Sequence, residues 1–397
     1  MQRIYLDANA TTPVLAEVVE AMRPFWQESF GNPSSAHHSG QRTRSAVERA
    51  RASVATLLNA QAKEIVFTSG GTESNNLALS GILQPFLDRD EPAHLITSAI
   101  EHHAVLYAAE ALGKRGIEVT CLAPTSDGLI DPASLEAALR PHTRLVSVML
   151  ANNETGAIQP LARLAAITKS FAERNAISIA FHTDAVQAAG KLPLDMTGDL
   201  KDVHLLSVSG HKMYAPQGTG ILFVRKGVSL TPLFYGGPHE RQRRAGTENV
   251  PGIVALGRAA DLARDWLAGL DDEAPTALAS LRDRLESGLL ATIPDTVVNA
   301  TGAPRMTNTT NLRFAEVDAE SLIIALDVKG ISASYGAACQ SGATEPSHVL
   351  TAMGFTHREA RASIRLSLSR LTTEEEVDRA LEIIPAAVER LRSLSHG

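Results

Sequence analysis

Short runs of branched and apolar residues alternate with longer stretches of helical periodicity through the first two-thirds of the chain. Glu64–Thr68 (EIVFT) precedes a helical stretch from Thr72 to Leu87, and His94–Thr97 (HLIT) precedes another from His103 to Leu112. Leu145–Leu150 (LVSVML) leads into a helix over Leu161–Arg174, and Ser178–His182 (SIAFH), Val203–Val208 (VHLLSV) and Gly220–Val224 (GILFV) follow. Strands that alternate with helices predict an α/β fold, a mostly parallel sheet covered on both faces. Beyond Pro251 the pattern changes. Ile253–Leu270 and Pro275–Thr292 are helical, Asn311–Phe314 and Ser363–Leu368 are strand-like, and a last helix follows Thr373. This predicts a smaller α+β domain, joined by the first dozen residues, which precede the helix starting near Pro13. The expected division is residues 13–255 for the large domain and residues 1–12 with 256–397 for the small one.

The chain has 397 residues, enough for two or three domains or for one large domain with a smaller partner. Its 37 basic and 44 acidic residues give a net charge of −7, which excludes a nucleic-acid binder built on a broad positive surface. No apolar run reaches the ~18 residues of a membrane span, so no membrane association is expected. Met1–Thr12 lacks the basic start and apolar run of a signal peptide, so a reducing, cytoplasmic location is expected. The two cysteines, Cys121 and Cys339, are too few for a disulfide framework. Glu118–Leu122 is strand-like, which predicts a buried, inert thiol at Cys121. Cys339 lies in Tyr335–Thr344, among small residues and glycines that suit a loop rather than a packed element.

In an open parallel sheet, ligands bind beyond the carboxyl ends of the strands. EIVFT is followed by Ser69-Gly70-Gly71-Thr72-Glu73-Ser74-Asn75-Asn76. Its glycines admit an anion, Thr72 can cap the next helix, and free N–H groups at a helix start favour a phosphate. Glu101-His102-His103 follows HLIT, and Asn152-Asn153-Glu154-Thr155-Gly156 follows LVSVML. Thr183-Asp184-Ala185-Val186-Gln187 follows SIAFH, and Ser209-Gly210-His211-Lys212 follows VHLLSV. Together these supply what pyridoxal 5′-phosphate needs. Lys212 can form a Schiff base with the aldehyde, and Asp184 can keep the ring nitrogen protonated. Thr72, Ser209 and His211 can hold the phosphate, and Asn153 with Gln187 the ring oxygen. A metal site at His102, His103, His182, Asp184 and His211 is the rival reading. It lacks the helical His-x-x-x-His pattern and leaves Lys212 and the phosphate-like turn without a role, so no metal is expected.

With these residues in place, the chain resembles the cysteine desulfurase family of fold-type I pyridoxal-phosphate enzymes over nearly its whole length. The resemblance rests on Tyr5-Leu6-Asp7, Ala10-Thr11-Thr12-Pro13, Gly31-Asn32-Pro33-Ser34 and Phe67–Asn76. It continues through Asn152-Asn153-Glu154, Ser209–Lys212, Arg244-Ala245-Gly246-Thr247, Ala338-Cys339, Glu345–Leu350 and Ile364–Ser367. It implies a seven-stranded large domain and a small domain carrying the cysteine loop. It also implies that L-cysteine is converted to L-alanine while its sulfur passes to Cys339 as a persulfide, for delivery to an acceptor protein. Lys212 is expected to bind the cofactor and His102 to lie over its ring and move protons. Asp184 is expected to pair with the ring nitrogen, Asn153 and Gln187 to contact its hydroxyl side, and Gly71, Thr72, Ser209 and His211 to hold the phosphate. Thr247 is expected to reach the phosphate of a neighbouring subunit, hence a homodimer, and Arg365 and Asn32 to hold the substrate carboxylate. The pattern of Ser363–Ser369 supports the Arg365 role independently, because Arg365 falls opposite Ile364, Leu366 and Leu368 on a polar face where it could clamp a carboxylate.

Gly336-Ala337-Ala338-Cys339-Gln340-Ser341 departs from the usual Gly-Ser-Ala-Cys-Thr-Ser of housekeeping desulfurases. With Gly71 and Asn152–Gly156 it is also similar to selenocysteine lyase, which releases selenium from L-selenocysteine. A non-catalytic sulfur carrier or scaffold would not need Lys212, Asp184, His102, Cys339 and Arg365 together, and an ordinary aminotransferase would not need the thiol.

Overall fold

The fold, taken from a computed structural model, is described over residues 3–269, 274–335 and 346–395. Its strands are β1 (Ile4–Tyr5), β2 (Ile65–Thr68), β3 (His94–Ser98), β4 (Glu118–Leu122), β5 (Thr143–Ser147) and β6 (Ala180–Asp184). They continue with β7 (Leu205–Ser209), β8 (Gly220–Val224), β9 (Thr296–Val298), β10 (Thr309–Phe314), β11 (Ile331–Ser332) and β12 (Ser363–Ser367). Seven form the main sheet in the order β2-β8-β7-β6-β5-β3-β4. Every pairing in it is parallel except those of β8, which runs antiparallel to β2 and β7. The carboxyl ends of β2, β3, β5, β6 and β7 therefore share one edge, as the alternating pattern predicts.

Helices cover both faces. Gly71–Asp88 lays Leu77, Leu79 and Leu83 over Val66, Leu95, Leu145, Leu205 and Leu222. Each such buried leucine contributes ~2 kcal/mol. On the other face Val47, Ala50 and Val54 of helix His38–Leu57 pack with Ile253, Leu256 and Ala260 of helix Val250–Leu267.

A second core joins the two ends of the chain. Ile4 and Leu6 pack with Leu285, Leu312, Phe314, Leu322, Ile364, Leu366 and Ile384. Here β12, β10 and β9 form a three-stranded sheet, and β1 pairs with β11. From β1 the chain crosses to the catalytic edge of the main sheet: Ala8 N–H donates to Ser367 O (3.0 Å) and Thr12 N–H to His211 O (2.9 Å).

Several sequence expectations need correction. The apolar run at 145–150 stops being a strand at Ser147, yet Val148 and Leu150 still donate to His182 and Asp184 carbonyls as the chain bends away. Strands β6 and β7 run on through Asp184 and Ser209, because these polar residues are buried at the sheet edge. Cys121 is exposed rather than buried, since β4 is the outermost strand of the sheet. Thr72 is not a helix cap: helix Gly71–Asp88 starts from Gly70 without a side-chain cap. Among the described residues, no helix is long and apolar enough to cross a membrane.

Candidate active site

A cavity of about 460 Å³ opens at the shared strand edge, lined by Gly71, Thr72, His102, Asn153, Asp184, Gln187, Ser209, His211 and Lys212 among others. Nine of the residues singled out from sequence thus meet in one place.

Gly70 has φ +154° and ψ −179°, a region open in practice to glycine alone. This sharp turn aims the uncapped start of helix Gly71–Asp88 into the cavity, and the unpaired N–H groups and dipole there suit an anion. The turn sits tight on the sheet: a Cβ on Gly220, the first residue of β8, would lie 2.6 Å from Gly70 Cα. Ser209 ends β7 beside this turn, and the Gly210–Lys212 turn follows it. His211 Nδ1 lies 3.1 Å from Thr11 Oγ1. Burial, then the positive Lys212 and Lys191, hold the pKa of His211 down to about 4, so the ring is neutral.

The Lys212 amine donates to the backbone carbonyl of Asn9. The carboxylate of Asp184, at the end of β6, is buried and held by neutral donors, Asn75 Nδ2 at 2.6 Å and Val186 N–H at 2.9 Å. A buried carboxylate served by neutral donors still calls for a cation opposite it.

His102 caps helix His103–Gly113, its Nδ1 accepting the Ala104 N–H at 3.1 Å. In the neutral ring the hydrogen therefore sits on Nε2. Burial lowers its pKa, Asp184 opposes this, and Lys212 and His348 add to it. Beside it Glu101 is fully buried and its pKa is pushed up to about 8 by burial and by Asp184, against hydrogen bonds from Ser98 and Met149.

Asn152 stiffens the turn after β5. Its Oδ1 accepts the N–H groups of Glu154 (2.9 Å) and Thr155 (3.0 Å), leaving Asn153 on the cavity wall. The Asn153 carbonyl accepts from Arg365 Nη1 at 2.8 Å, and Arg365 Nη2 donates to Asp7 Oδ1 at 2.6 Å. Arg365 is thus one residue behind the cavity. The face expected to be polar is itself buried: Arg365 is 2% exposed, and among the described residues its Nε–H has no partner.

Not every expected residue joins this group. Asn32 is exposed and away from the cavity wall, its Oδ1 accepting the Ser34 N–H at 2.9 Å. Thr247 is exposed and lines a neighbouring cleft with Ser69 and Gly220. That segment is anchored by the buried Arg51–Glu240 pair (2.7 Å), Glu240 also accepting the Phe67 N–H. Cys339 lies outside the described residues. Among the described residues, no group of three or more His, Cys, Asp or Glu is placed to hold a metal ion.

Sequence reasoning assigned no role to Asn75, Asp7 or Asn9. Asn75 sits four residues after Gly71 on the same helix, a spacing that puts both on one face and could have been read as pointing to Asp184. Asn9 was unreadable: it joins distant segments, its carbonyl accepting from Lys212 and Gln187 while its amide donates to Thr309.

A family model described as "Aminotransferase class-V" matches residues 4–380. The chain is 48% identical over 392 residues to the cysteine desulfurase IscS of Methanosarcina thermophila, covering 99% of this chain and 93% of that protein. It is 48% identical over 395 residues to cysteine desulfurase 2 of Trichormus variabilis, covering 100% and 95%. A solved structure described as a NifS-like protein superposes with a TM-score of 0.88 at 37% identity, covering 98% of this chain and 100% of that one.

Proposed function

The chain belongs to the aminotransferase class-V family and is a cysteine desulfurase; from that premise we propose how its residues divide the work. Pyridoxal 5′-phosphate would be the cofactor, and Lys212 the residue to hold its aldehyde. One observation carries this reading: the Lys212 amine, the buried Asp184 carboxylate and the uncapped start of helix Gly71–Asp88 face one cavity. The donor set fits the group. Asp184, buried and held by the neutral donors Asn75 and Val186, suits pairing with a protonated ring nitrogen, and the helix start with Ser209 and His211 offers neutral donors to a phosphate. Asn153 and Gln187 serve the ring oxygen. When bound, the cofactor draws electrons from the substrate carbon and so weakens the neighbouring C–S bond.

The protein does the rest. Arg365, held in place by Asp7 and the Asn153 carbonyl, takes the substrate carboxylate. Lys212 Nζ removes the proton from the substrate Cα and later returns one. His102, lining the same cavity, offers Nε2–H as a proton donor. The Cys339 thiolate attacks the substrate sulfur: an S–S bond forms, the C–S bond breaks, and the bonding pair returns to the Cβ, which is protonated to give L-alanine. The persulfide on Cys339 is then available to a sulfur-acceptor protein. Residues 13–255 carry the cofactor and residues 1–12 with 256–397 form the smaller domain, except that helix Val250–Leu267 stays whole on the large domain, where Leu256 and Ala260 pack. The exposed Thr247 is suited to completing the phosphate site of a second subunit in a homodimer.

Lys212→Ala tests the assignment. The purified variant is expected to lose the visible absorbance of lysine-bound cofactor and all alanine formation from L-cysteine. A variant that kept both would overturn it.

A further inference from the structure

Lys191 lies seven residues beyond Asp184, in the turns that follow β6, and is 6% exposed. Its amine donates to Gln187 Oε1 at 3.2 Å, and among the described residues it forms no ion pair. The charged groups that bear on it are cations, Lys212 and Arg365, and together with burial they bring its pKa down to about 7. A buried amine that gains one neutral hydrogen bond and faces two cations does not stabilise the fold; an apolar chain of equal volume would do so better.

What the amine does is orient Gln187. The two ends of that amide are nearly isosteric, and the Lys191 amine donates to Oε1, so the carbonyl oxygen faces Lys191. The NH2 end is thereby turned to the opposite side. There it donates to the Asn9 carbonyl at 3.0 Å, the same oxygen that accepts from Lys212, and Gln187 and Lys212 both line the cavity. We propose that Lys191 is a positioning residue: it locks the Gln187 amide with its donor end toward the ring oxygen of the bound cofactor. This rests on the assignment of Gln187 to that oxygen. A donor there stabilises the ionised oxygen and so lowers the proton affinity of the lysine-bound chromophore.

The test is a visible-absorbance pH titration of the cofactor-loaded protein, comparing wild type, Lys191→Met, Gln187→Ala and the double variant, with melting temperatures of the unloaded proteins alongside. Gln187→Ala and Lys191→Met should each raise the absorbance midpoint by about half to one pH unit, the scale of one hydrogen bond. The double variant should match Gln187→Ala alone, because Lys191 acts through Gln187. If Gln187→Ala shifts the midpoint and Lys191→Met does not, or if the two shifts add, the inference about Lys191 fails on its own. If Gln187→Ala shifts nothing, the ring-oxygen assignment fails with it. Should both Lys191→Met and Lys191→Leu fail to fold, the lysine is a stability residue and the proposal is overturned.

Discussion

Replacing Arg365 by lysine separates substrate binding from cofactor binding. Among the described residues the guanidinium makes two bonds, to the Asn153 carbonyl (2.8 Å) and to Asp7 (2.6 Å), and its Nε–H is buried and unmatched. Lysine keeps the positive charge opposite Asp7 and so avoids leaving that carboxylate without a cation. It cannot span the same positions, because an ammonium on a flexible stem has no planar fork. At least one charge-assisted bond to a bound carboxylate is lost, worth about 1.5–3 kcal/mol. That converts to roughly a 10- to 150-fold weaker affinity for cysteine. Alanine formation measured across a range of cysteine concentrations should show this as a higher KM, while the visible cofactor spectrum stays that of the wild type. A KM within threefold of wild type, or loss of the cofactor spectrum, would refute the assignment of Arg365 to the substrate carboxylate.

Gly70→Ala forces a side chain onto a backbone with φ +154°, a strain of order 1–3 kcal/mol at the phosphate turn, and equilibrium dialysis should show weaker cofactor retention. Unchanged retention would mean that the turn does not carry the phosphate. Glu101 is raised from 4.5 to about 8, so the unfolded chain releases its proton first and wild-type stability falls as pH rises from about 5 to 8, then levels. Glu101→Gln removes that dependence: melting temperatures should favour the variant increasingly toward pH 8, and a pH-independent difference would contradict the burial argument. Arg51→Met leaves Glu240 buried without its cation and should cost about 3–5 kcal/mol in denaturant unfolding, of which Glu240→Gln added to it recovers part. No recovery would place the loss in packing against Phe67 instead.

The parts of this molecule legible in sequence are those set by local period. Gly220–Val224 is a strand buried throughout, and the helix at Leu161–Arg174 carries the buried stripe Leu161, Leu164, Ala165 and Thr168, both as the local pattern predicts. The edge that gathers His102, Asn153, Asp184 and Lys212 was also legible, since a parallel sheet leaves its strand ends no other place to meet. Burial was harder to foresee. Cys121 has a strand pattern, but its exposure depends on β4 being an edge strand, a matter of strand order rather than of sequence. Arg365 sits on the face that alternation marks as polar, yet β1 and the chain after it cover that face, contributing Asp7 from the other end of the sequence. Asn9 and Lys191 gain meaning only through partners that folding brings to them.

The most direct measurement is the mass of each cysteine peptide after the loaded enzyme turns over L-cysteine without added reductant, with alanine counted in parallel. The account predicts one extra sulfur atom on the peptide bearing Cys339, none on that bearing Cys121, and no such sulfur in Lys212→Ala. Sulfur found on Cys121, or alanine formed at the wild-type rate by Cys339→Ala, would contradict it.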